Sequence, residues 1–172
     1  MHTIRRPAAQ ESAAYFKHYI SLVEGDDILA ILNKAKTETA AFLRSIPDEK
    51  WDQAYAPGKW TLKESWMHLV DSERVFAYRA MRIARNDQTP MPGFDQDIYV
   101  PHYNALSRTA ESVIQEYEAV RAASISLFEH LDDAAMNHIG TASNNPMSAL
   151  AAAFIIAGHE QHHINLINDK YL

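Results

Sequence analysis

The sequence predicts an all-α protein, a four-helix bundle with a long crossover between its second and third helices. Three observations favour this fold. The chain has only 5 glycines in 172 residues, and no run of β-branched residues alternates with polar ones as in a strand. Four segments repeat apolar residues at helical spacing. Residues 87–105, between the second and third segments, are too long for a tight turn, so the flanking helices can run parallel.

Composition excludes several classes of protein. A length of 172 residues, 47% of them hydrophobic, suits one domain over residues 1–172, with 1–10 as a loose N-terminal tail. The net charge of −6 provides no basic surface for nucleic acid or an anionic membrane, and no apolar stretch is long enough to span a bilayer. Without cysteine there is no disulfide, zinc ribbon or thiol nucleophile. Residues 1–10 lack a signal-peptide core, so we expect a cytoplasmic protein.

The first half of the chain contains two of the long helices. After a short helix over residues 15–23, two aspartates precede the first long helix at 28–46, which Pro47 ends. The second long helix, at 62–85, follows a turn, and Thr61 with Glu64 three residues later gives the capping-box pattern. Trp60 is interpreted as a plug at the end of the bundle.

The second half contains the other two helices, predicted at residues 107–131 and 147–168 with a loop at Asn144-Asn145-Pro146 between them. In the fourth helix, Leu150 and Phe154 lie outside the main apolar stripe. Either they form a dimer surface, or an N-terminal segment covers them.

Two histidines of the fourth helix, His159 and His163, stand where apolar residues are expected. At 100° per residue they share a face with Ile155, Ile156 and Leu166. Buried imidazole nitrogens cost free energy unless they are bonded, and one shared metal ion bonds both. We therefore predict a ligand pair; the alternative is a hydrogen-bonded pair of core histidines.

The same segment, His159-Glu160-Gln161-His162-His163, spells the H-E-x-x-H signature of zinc proteases, in which Glu160 would be the general base. The commonest of these proteases take a third ligand downstream, but no histidine or glutamate follows His163, so we reject a protease. Glu160 lies at the flank of the site and is kept as a catalytic helper. His162, at the edge of the stripe, is predicted to face solvent or to support the ligands.

The third ligand must therefore come from upstream. Only His68 lies in the middle of a helix, with Ser65 and Ser72 as small flanking residues that leave room for an ion. His102, on the long connection, is the best alternative. The remaining upstream histidines are His2, His18, His130 and His138.

Three protein ligands and one open position are typical of catalytic metal sites, where the ion can generate hydroxide from water or a thiolate from a thiol. Imidazoles suit zinc, nickel, copper or iron. Arg79, on the face of His68, could be a second helper that binds an anionic group, such as a carboxylate of a thiol cofactor. Glu64 and Asp71 could orient an imidazole. The alternative for all three is a charge on an exposed rim.

These motifs, in this order and spacing, resemble the DinB/YfiT superfamily of metal-binding four-helix bundles over residues 15–166. The segments that carry the resemblance are Pro57-Gly58-Lys59-Trp60-Thr61, His68-Leu69-Val70-Asp71-Ser72-Glu73-Arg74, Phe76-Ala77-Tyr78-Arg79, Phe94-Asp95-Gln96-Asp97 and Gly158-His159-Glu160-Gln161-His162-His163-Ile164.

The resemblance implies one divalent ion held by His68, His159 and His163, with Zn²⁺ expected first and Ni²⁺ or another transition metal as the alternative. It also implies a homodimer and a small-molecule substrate. The expected function is transfer of a low-molecular-weight thiol to an electrophile through a metal-activated thiolate. The alternatives are a metal-dependent hydrolase using hydroxide, a non-catalytic, stress-related metal-binding bundle, and a purely structural bundle without metal.

Overall fold

The computed structural model describes residues 4–172, whose architecture is built on four long helices. In chain order the elements are α1 (Lys17–Leu22), α2 (Ile28–Arg44), α3 (Leu62–Ala84), α4 (Ala110–Glu129), α5 (Asp133–Asn137), β1 (Ile139–Ala142), β2 (Asn145–Ser148) and α6 (Ala149–Leu166). The predicted all-α four-helix bundle is confirmed, with one small antiparallel hairpin added. Within the described residues, no helix is long and apolar enough to cross a membrane.

Side-chain caps determine where the long helices begin. Thr61 and Glu64 form the predicted capping box at the start of α3. Helix α4 begins at Ala110 rather than residue 107 because Thr109 accepts a hydrogen bond from a backbone N–H of its first turn. Helix α6 begins after Ser148, which caps it in the same way, because Met147 belongs to strand β2.

The long connection lets α3 and α4 run in the same direction. Trp66 contacts Tyr117 near the start of both helices, and Glu73 pairs with Arg121 further along both. Residues 85–109 make the crossover and contain three short 3₁₀ turns. Helices α3 and α6, by contrast, run antiparallel, so that residues early in α3 lie beside residues late in α6.

The hairpin before α6 was not predicted. Ser143 and Asn144 connect its strands with φ of 51° and 61°, the two positive values of a type I′ turn. The sequence indicated only a loop here, because strands of four residues are too short to display an alternating pattern. The backbone of Met91 bonds to that of Thr141, so the hairpin also anchors the crossover.

The prediction of a loose tail over residues 1–10 is wrong for residues 4–10; residues 1–3 lie outside the described part. Arg6 donates hydrogen bonds to the carbonyls of Val23 and Gly25, and its guanidinium lies 5.3 Å from the centroid of the Phe154 ring. Phe154 and Leu150 are fully buried within the chain. The N-terminal segment therefore covers Phe154, as one of the two interpretations proposed, whereas Leu150 belongs to the hydrophobic core. The homodimer stays a prediction.

Helix α1 approaches α6 so closely that only glycine fits at position 158. A Cβ atom added to Gly158 would lie 1.9 Å from the carbonyl oxygen of Tyr19. This contact holds the side chain of Tyr19 against the last turns of α6, where the histidines are.

We predict that Gly158→Ala destabilises the protein by roughly 2–4 kcal/mol, because α1 must move away from α6 to admit the methyl group. The sign of this change is informative, because replacing glycine by alanine inside a helix otherwise stabilises the helix by about 1 kcal/mol. Urea denaturation monitored by circular dichroism measures the change. Gln161→Ala, on the half-exposed side of α6, is the control and should change stability by less than about 0.5 kcal/mol. A Gly158→Ala variant as stable as the wild type would contradict the close contact.

Candidate metal centre

The three histidines predicted as ligands lie together where α3 meets α6. Their donor nitrogens all fall within 4.8 Å of one another. The Nε2 atom of His159 lies 3.3 Å from that of His68 and 3.1 Å from that of His163. His68 and His163 are buried, whereas His159 is half-buried. The cluster therefore sits at the wall of the bundle, with one side open.

The spacing of the three Nε2 atoms fits a metal ion. Ligands about 2.05 Å from a tetrahedral zinc ion lie about 3.3 Å from each other, close to the two separations found here. Hydrogen bonds alone would not hold all three rings in this way, because a neutral imidazole has one donor nitrogen and one acceptor nitrogen. The donor set is the open three-histidine type, with room for a fourth ligand.

Two serines of α3 hold the outer nitrogens of the cluster. Ser65 Oγ lies 3.0 Å from Nδ1 of His163, and Ser72 Oγ lies 3.4 Å from Nδ1 of His68. In the tautomer that leaves Nε2 free for a metal, Nδ1 carries the proton and donates it to the serine. The sequence indicated both serines only as small neighbours. The hydrogen bond of Ser65 could not be predicted, because its partner His163 lies on another helix.

Burial keeps the three imidazoles neutral. It lowers the pKa of His68 to about 4. Burial, with the charges of His68 and His162, lowers the pKa of His159 to about 3. The pKa of His163 falls well below the usual value for the same reasons, burial first and the neighbouring histidines second. Within residues 4–172, no carboxylate forms an ion pair with any of the three. Neutral imidazole is the form that binds metal.

A cavity of about 510 Å³ opens over the cluster. Trp60 lies beside the cluster, with its ring 5.0 Å from that of His68, so it lines the site. Its role as a plug at the bundle end stays a prediction. Tyr19 packs its ring 5.1 Å from His159, and burial raises its pKa well above the usual value. His162 is half-buried and also lines the cavity, which agrees with a supporting place beside the cluster. Helical periodicity could not identify Tyr19, because α1 reaches the site only through tertiary packing.

Glu160 faces away from this cavity. Its carboxylate accepts hydrogen bonds from Thr39 and Tyr117, at 2.8 and 2.9 Å, and pairs with Arg121. Arg121 is fully buried and also forms a two-bond pair with Glu73. Although burial opposes its charge, the carboxylates of Glu160 and Glu73 raise the pKa of Arg121 well above its usual value. Both carboxylate oxygens of Glu160 are therefore engaged on the side of α6 that faces α2 and α4. Its role as a catalytic helper stays a prediction, one that this position does not favour.

Arg79, the other predicted helper, is buried rather than on an exposed rim. Its Nη2 donates hydrogen bonds to the carbonyl of Pro92 at 2.9 Å and to Ser143 Oγ at 3.0 Å. It lines a second cavity that adjoins the histidine cavity, with Tyr19, Gln96 and His159 common to both.

The other polar candidates are engaged elsewhere. Glu64 closes the capping box with Thr61, and Asp71 pairs with Arg74, so neither orients an imidazole. His102 is exposed on a 3₁₀ turn of the crossover, outside the residues that line the histidine cavity. Three of the remaining upstream histidines do not join the cluster, because His18 lies beside His162, and His130 and His138 end α4 and α5. The fourth, His2, lies outside the described residues.

Comparisons with known proteins agree with this fold. Residues 31–167 match the family model of the DinB superfamily. A protein of Oceanobacillus iheyensis named "Putative metal-dependent hydrolase" is 27% identical over 150 residues, covering 81% of this chain and 82% of that protein.

A solved structure has the same fold. It is YfiT from Bacillus subtilis, described as "a probable metal-dependent hydrolase with an unusual four-helix bundle topology". The TM-score is 0.69 at 17% identity, covering 95% of this chain and 90% of that one.

We predict that the metal-free protein loses stability as the pH falls from about 6.5 to about 4. The pKa values of the clustered histidines in the folded state lie below the ordinary value of 6.5. The unfolded chain therefore binds more protons in this window, and the free energy of unfolding decreases with decreasing pH. Urea denaturation at several pH values measures it. His68→Asn should make the dependence shallower, whereas His102→Asn, at an exposed position, should leave it unchanged. Equal slopes for the wild type and His68→Asn would refute the neutral, buried state of His68.

We predict that Arg121→Met destabilises the protein by roughly 3–5 kcal/mol, because it leaves Glu73 and Glu160 buried without a cation. Arg44→Met is the matched control. Arg44 also pairs with two glutamates, Glu111 and Glu118, but at the surface, where solvent screens the pairs and the loss of Arg44 should change stability far less. Thermal and urea denaturation give both values, and similar losses in the two variants would contradict a buried network.

Proposed function

The chain belongs to the DinB superfamily, and we propose that this protein is a metal-dependent enzyme that acts on a small molecule at the cluster of His68, His159 and His163. The observation that carries the proposal is the geometry of three neutral imidazoles, whose Nε2 atoms converge on one point with separations of 3.1 and 3.3 Å. This donor set suits a divalent transition ion, Zn²⁺ first and Ni²⁺ next.

An ion held by three imidazoles and one open position supplies Lewis acidity, which lowers the pKa of a water molecule or a thiol there. The protein does the rest. His68 and His163 would hold the ion from the buried side, and Ser65 and Ser72 fix the orientation of their rings. The half-buried His159 adjoins the cavity. Tyr19, whose pKa burial raises further above neutral pH, stays protonated and can donate a hydrogen bond to the substrate.

Hydrolysis is the first candidate reaction. The Oceanobacillus iheyensis protein and YfiT are both described as metal-dependent hydrolases. The cavity over the histidines, about 510 Å³, has the size of a small-molecule site. The substrate would enter from the open side of the cluster, with Trp60 as an apolar wall beside His68.

Transfer of a low-molecular-weight thiol to an electrophile is the second candidate. The position of Glu160 favours it, because the carboxylate that serves as general base in H-E-x-x-H proteases is here bonded to Arg121, Tyr117 and Thr39. A thiol needs no such base, since the ion itself favours the thiolate. In this reaction the thiol would release its proton to the solvent, the sulfur would form a bond to the electrophile, and the leaving group would depart with the electrons of the broken bond.

We predict that the purified protein, prepared without a histidine tag, binds one Zn²⁺ per chain. His68→Ala and His163→Ala should each lower the affinity by more than about 100-fold, and Ser65→Ala by about 10-fold, because a supporting hydrogen bond is lost. Competition with a chromophoric chelator measures the affinities. His102→Ala, on the crossover, is the control and should bind as the wild type does. Wild-type protein that takes up no stoichiometric metal, or a His68→Ala variant with unchanged affinity, would refute the proposal.

The two reactions are separated by assaying the zinc-loaded protein. One assay offers ester and amide substrates in the absence of thiol, and the other offers monochlorobimane with a panel of low-molecular-weight thiols. An activity that the zinc-loaded wild type shows and the His68→Ala variant lacks is the reaction catalysed at the histidine cluster. If neither activity occurs in the loaded wild type, the proposed enzyme function fails, and a non-catalytic metal-binding bundle is favoured instead.

A further inference from the structure

We propose that Arg79 forms a binding site for a carboxylate group of the small molecule that occupies the histidine cavity. This inference rests on the proposed function in one respect, namely that the other end of the molecule reacts at the histidines. The site itself is defined by Arg79 and its surroundings, and it can be tested without metal.

Arg79 is a buried cation without an acidic partner in the described part of the chain. Its exposure is 3%, and the ion pairs found among residues 4–172 do not include it. The comparison with Arg121 is direct, because that equally buried arginine has two carboxylates. A buried charge is normally paired, so an unpaired one next to a cavity calls for a partner from outside the chain.

The hydrogen bonds that Arg79 makes use only part of its capacity. A guanidinium has five N–H donors, and the two hydrogen bonds that Arg79 makes within residues 4–172, to Pro92 and Ser143, both start from Nη2. The N–H groups of Nε and Nη1 stay available for a ligand in the cavity that Arg79 lines. Burial lowers the pKa of Arg79, which reflects the missing negative charge. The side chain nevertheless stays charged at neutral pH, as arginine does in proteins.

The cavity at Arg79 suits an organic carboxylate rather than a fully hydrated ion. Its volume is about 240 Å³, and aromatic rings form much of its wall. Arg79 lies 5.5 Å from the ring centroid of Phe76 and 5.7 Å from that of Phe94. An apolar or aromatic segment would pack on these rings while its carboxylate meets the guanidinium.

The two cavities adjoin each other, because Tyr19, Gln96 and His159 line both. We infer that they act as one elongated site, in which a molecule extends from the guanidinium to the histidine cluster. His68 and Arg79 are eleven positions apart on α3, which is roughly 16 Å along the helix axis. The long side chain of Arg79 leans toward the N-terminus of the helix, and therefore toward His68. The substrate would therefore carry its carboxylate several bonds away from the group that reacts at the histidines.

The test uses metal-free, ¹⁵N-labelled protein at pH 7.5 and fixed ionic strength, titrated with phenylacetate and, separately, with phenylacetamide. The two probes have the same ring and nearly the same shape, but only the first is charged. We expect phenylacetate to bind at least about tenfold more tightly, with a shift of the Nε–Hε resonance of Arg79. This readout needs no variant, so it holds even if a substitution of Arg79 disturbs the crossover.

Variants separate binding from a structural role. Arg79→Met should abolish the preference for phenylacetate, and Arg79→Lys should keep part of it, because the charge remains but the paired N–H groups do not. Arg85 is an exposed arginine that directly follows α3. Arg85→Met is therefore the control, and it should prefer phenylacetate over phenylacetamide as strongly as the wild type does. The protein in this test carries no metal, so a failure of the metal proposal does not affect the result.

The inference is overturned if the wild type binds the two probes within twofold of each other. It is equally overturned if the resonances that shift lie away from Arg79, or if a folded Arg79→Met variant keeps the preference. Arg79 would then only tie the crossover to the hairpin turn.

Discussion

Three neutral imidazoles meet where α3 packs against α6, and this contact imposes the strictest requirement on the rest of the structure. Each ring gives up hydration, and within residues 4–172 no carboxylate ion pair compensates any of them. Their Nε2 atoms can converge only if α6 is held at a fixed distance and rotation. The close approach of α1 at Gly158 and the serines of α3 both serve that geometry.

The opposite side of α6 is fixed by a buried ionic network. Glu160 follows His159 directly in the chain, and its carboxylate points toward α2 and α4, where it meets Thr39 and Arg121. Adjacent residues of one helix therefore serve two purposes, because successive side chains diverge by about 100°. One side presents imidazoles to the cavity, and the other ties α6 to its neighbours. The H-E-x-x-H string arises from this division of roles, without the glutamate acting at the metal site.

Much of this could be predicted from local sequence patterns. Apolar periodicity and capping residues predict the four long helices, with α3 beginning at the expected residue. The apolar face around His159 and His163 indicates a buried polar pair. The selection of His68 needed elimination and family resemblance, because its proximity to the pair depends on how α3 packs.

The features that were missed or misread depend on tertiary contacts. The network of Glu160, the covering of Phe154 by the N-terminal segment and the place of Tyr19 beside His159 all join residues that are distant in the chain. The hairpin was missed for a different reason, since its strands are too short for a pattern and only the φ values of its turn reveal it. Arg79 was assigned to the correct face, but its burial depends on the crossover and the hairpin turn.

X-ray absorption spectroscopy of the protein loaded with one equivalent of Zn²⁺ tests the central claim most directly. We expect the ion in the wild type to be four-coordinate, with three imidazole nitrogens at about 2.0–2.1 Å and one further light ligand. In His68→Ala, one imidazole contribution should be lost. A first shell made of oxygen ligands only, or a spectrum unchanged in that variant, would contradict it.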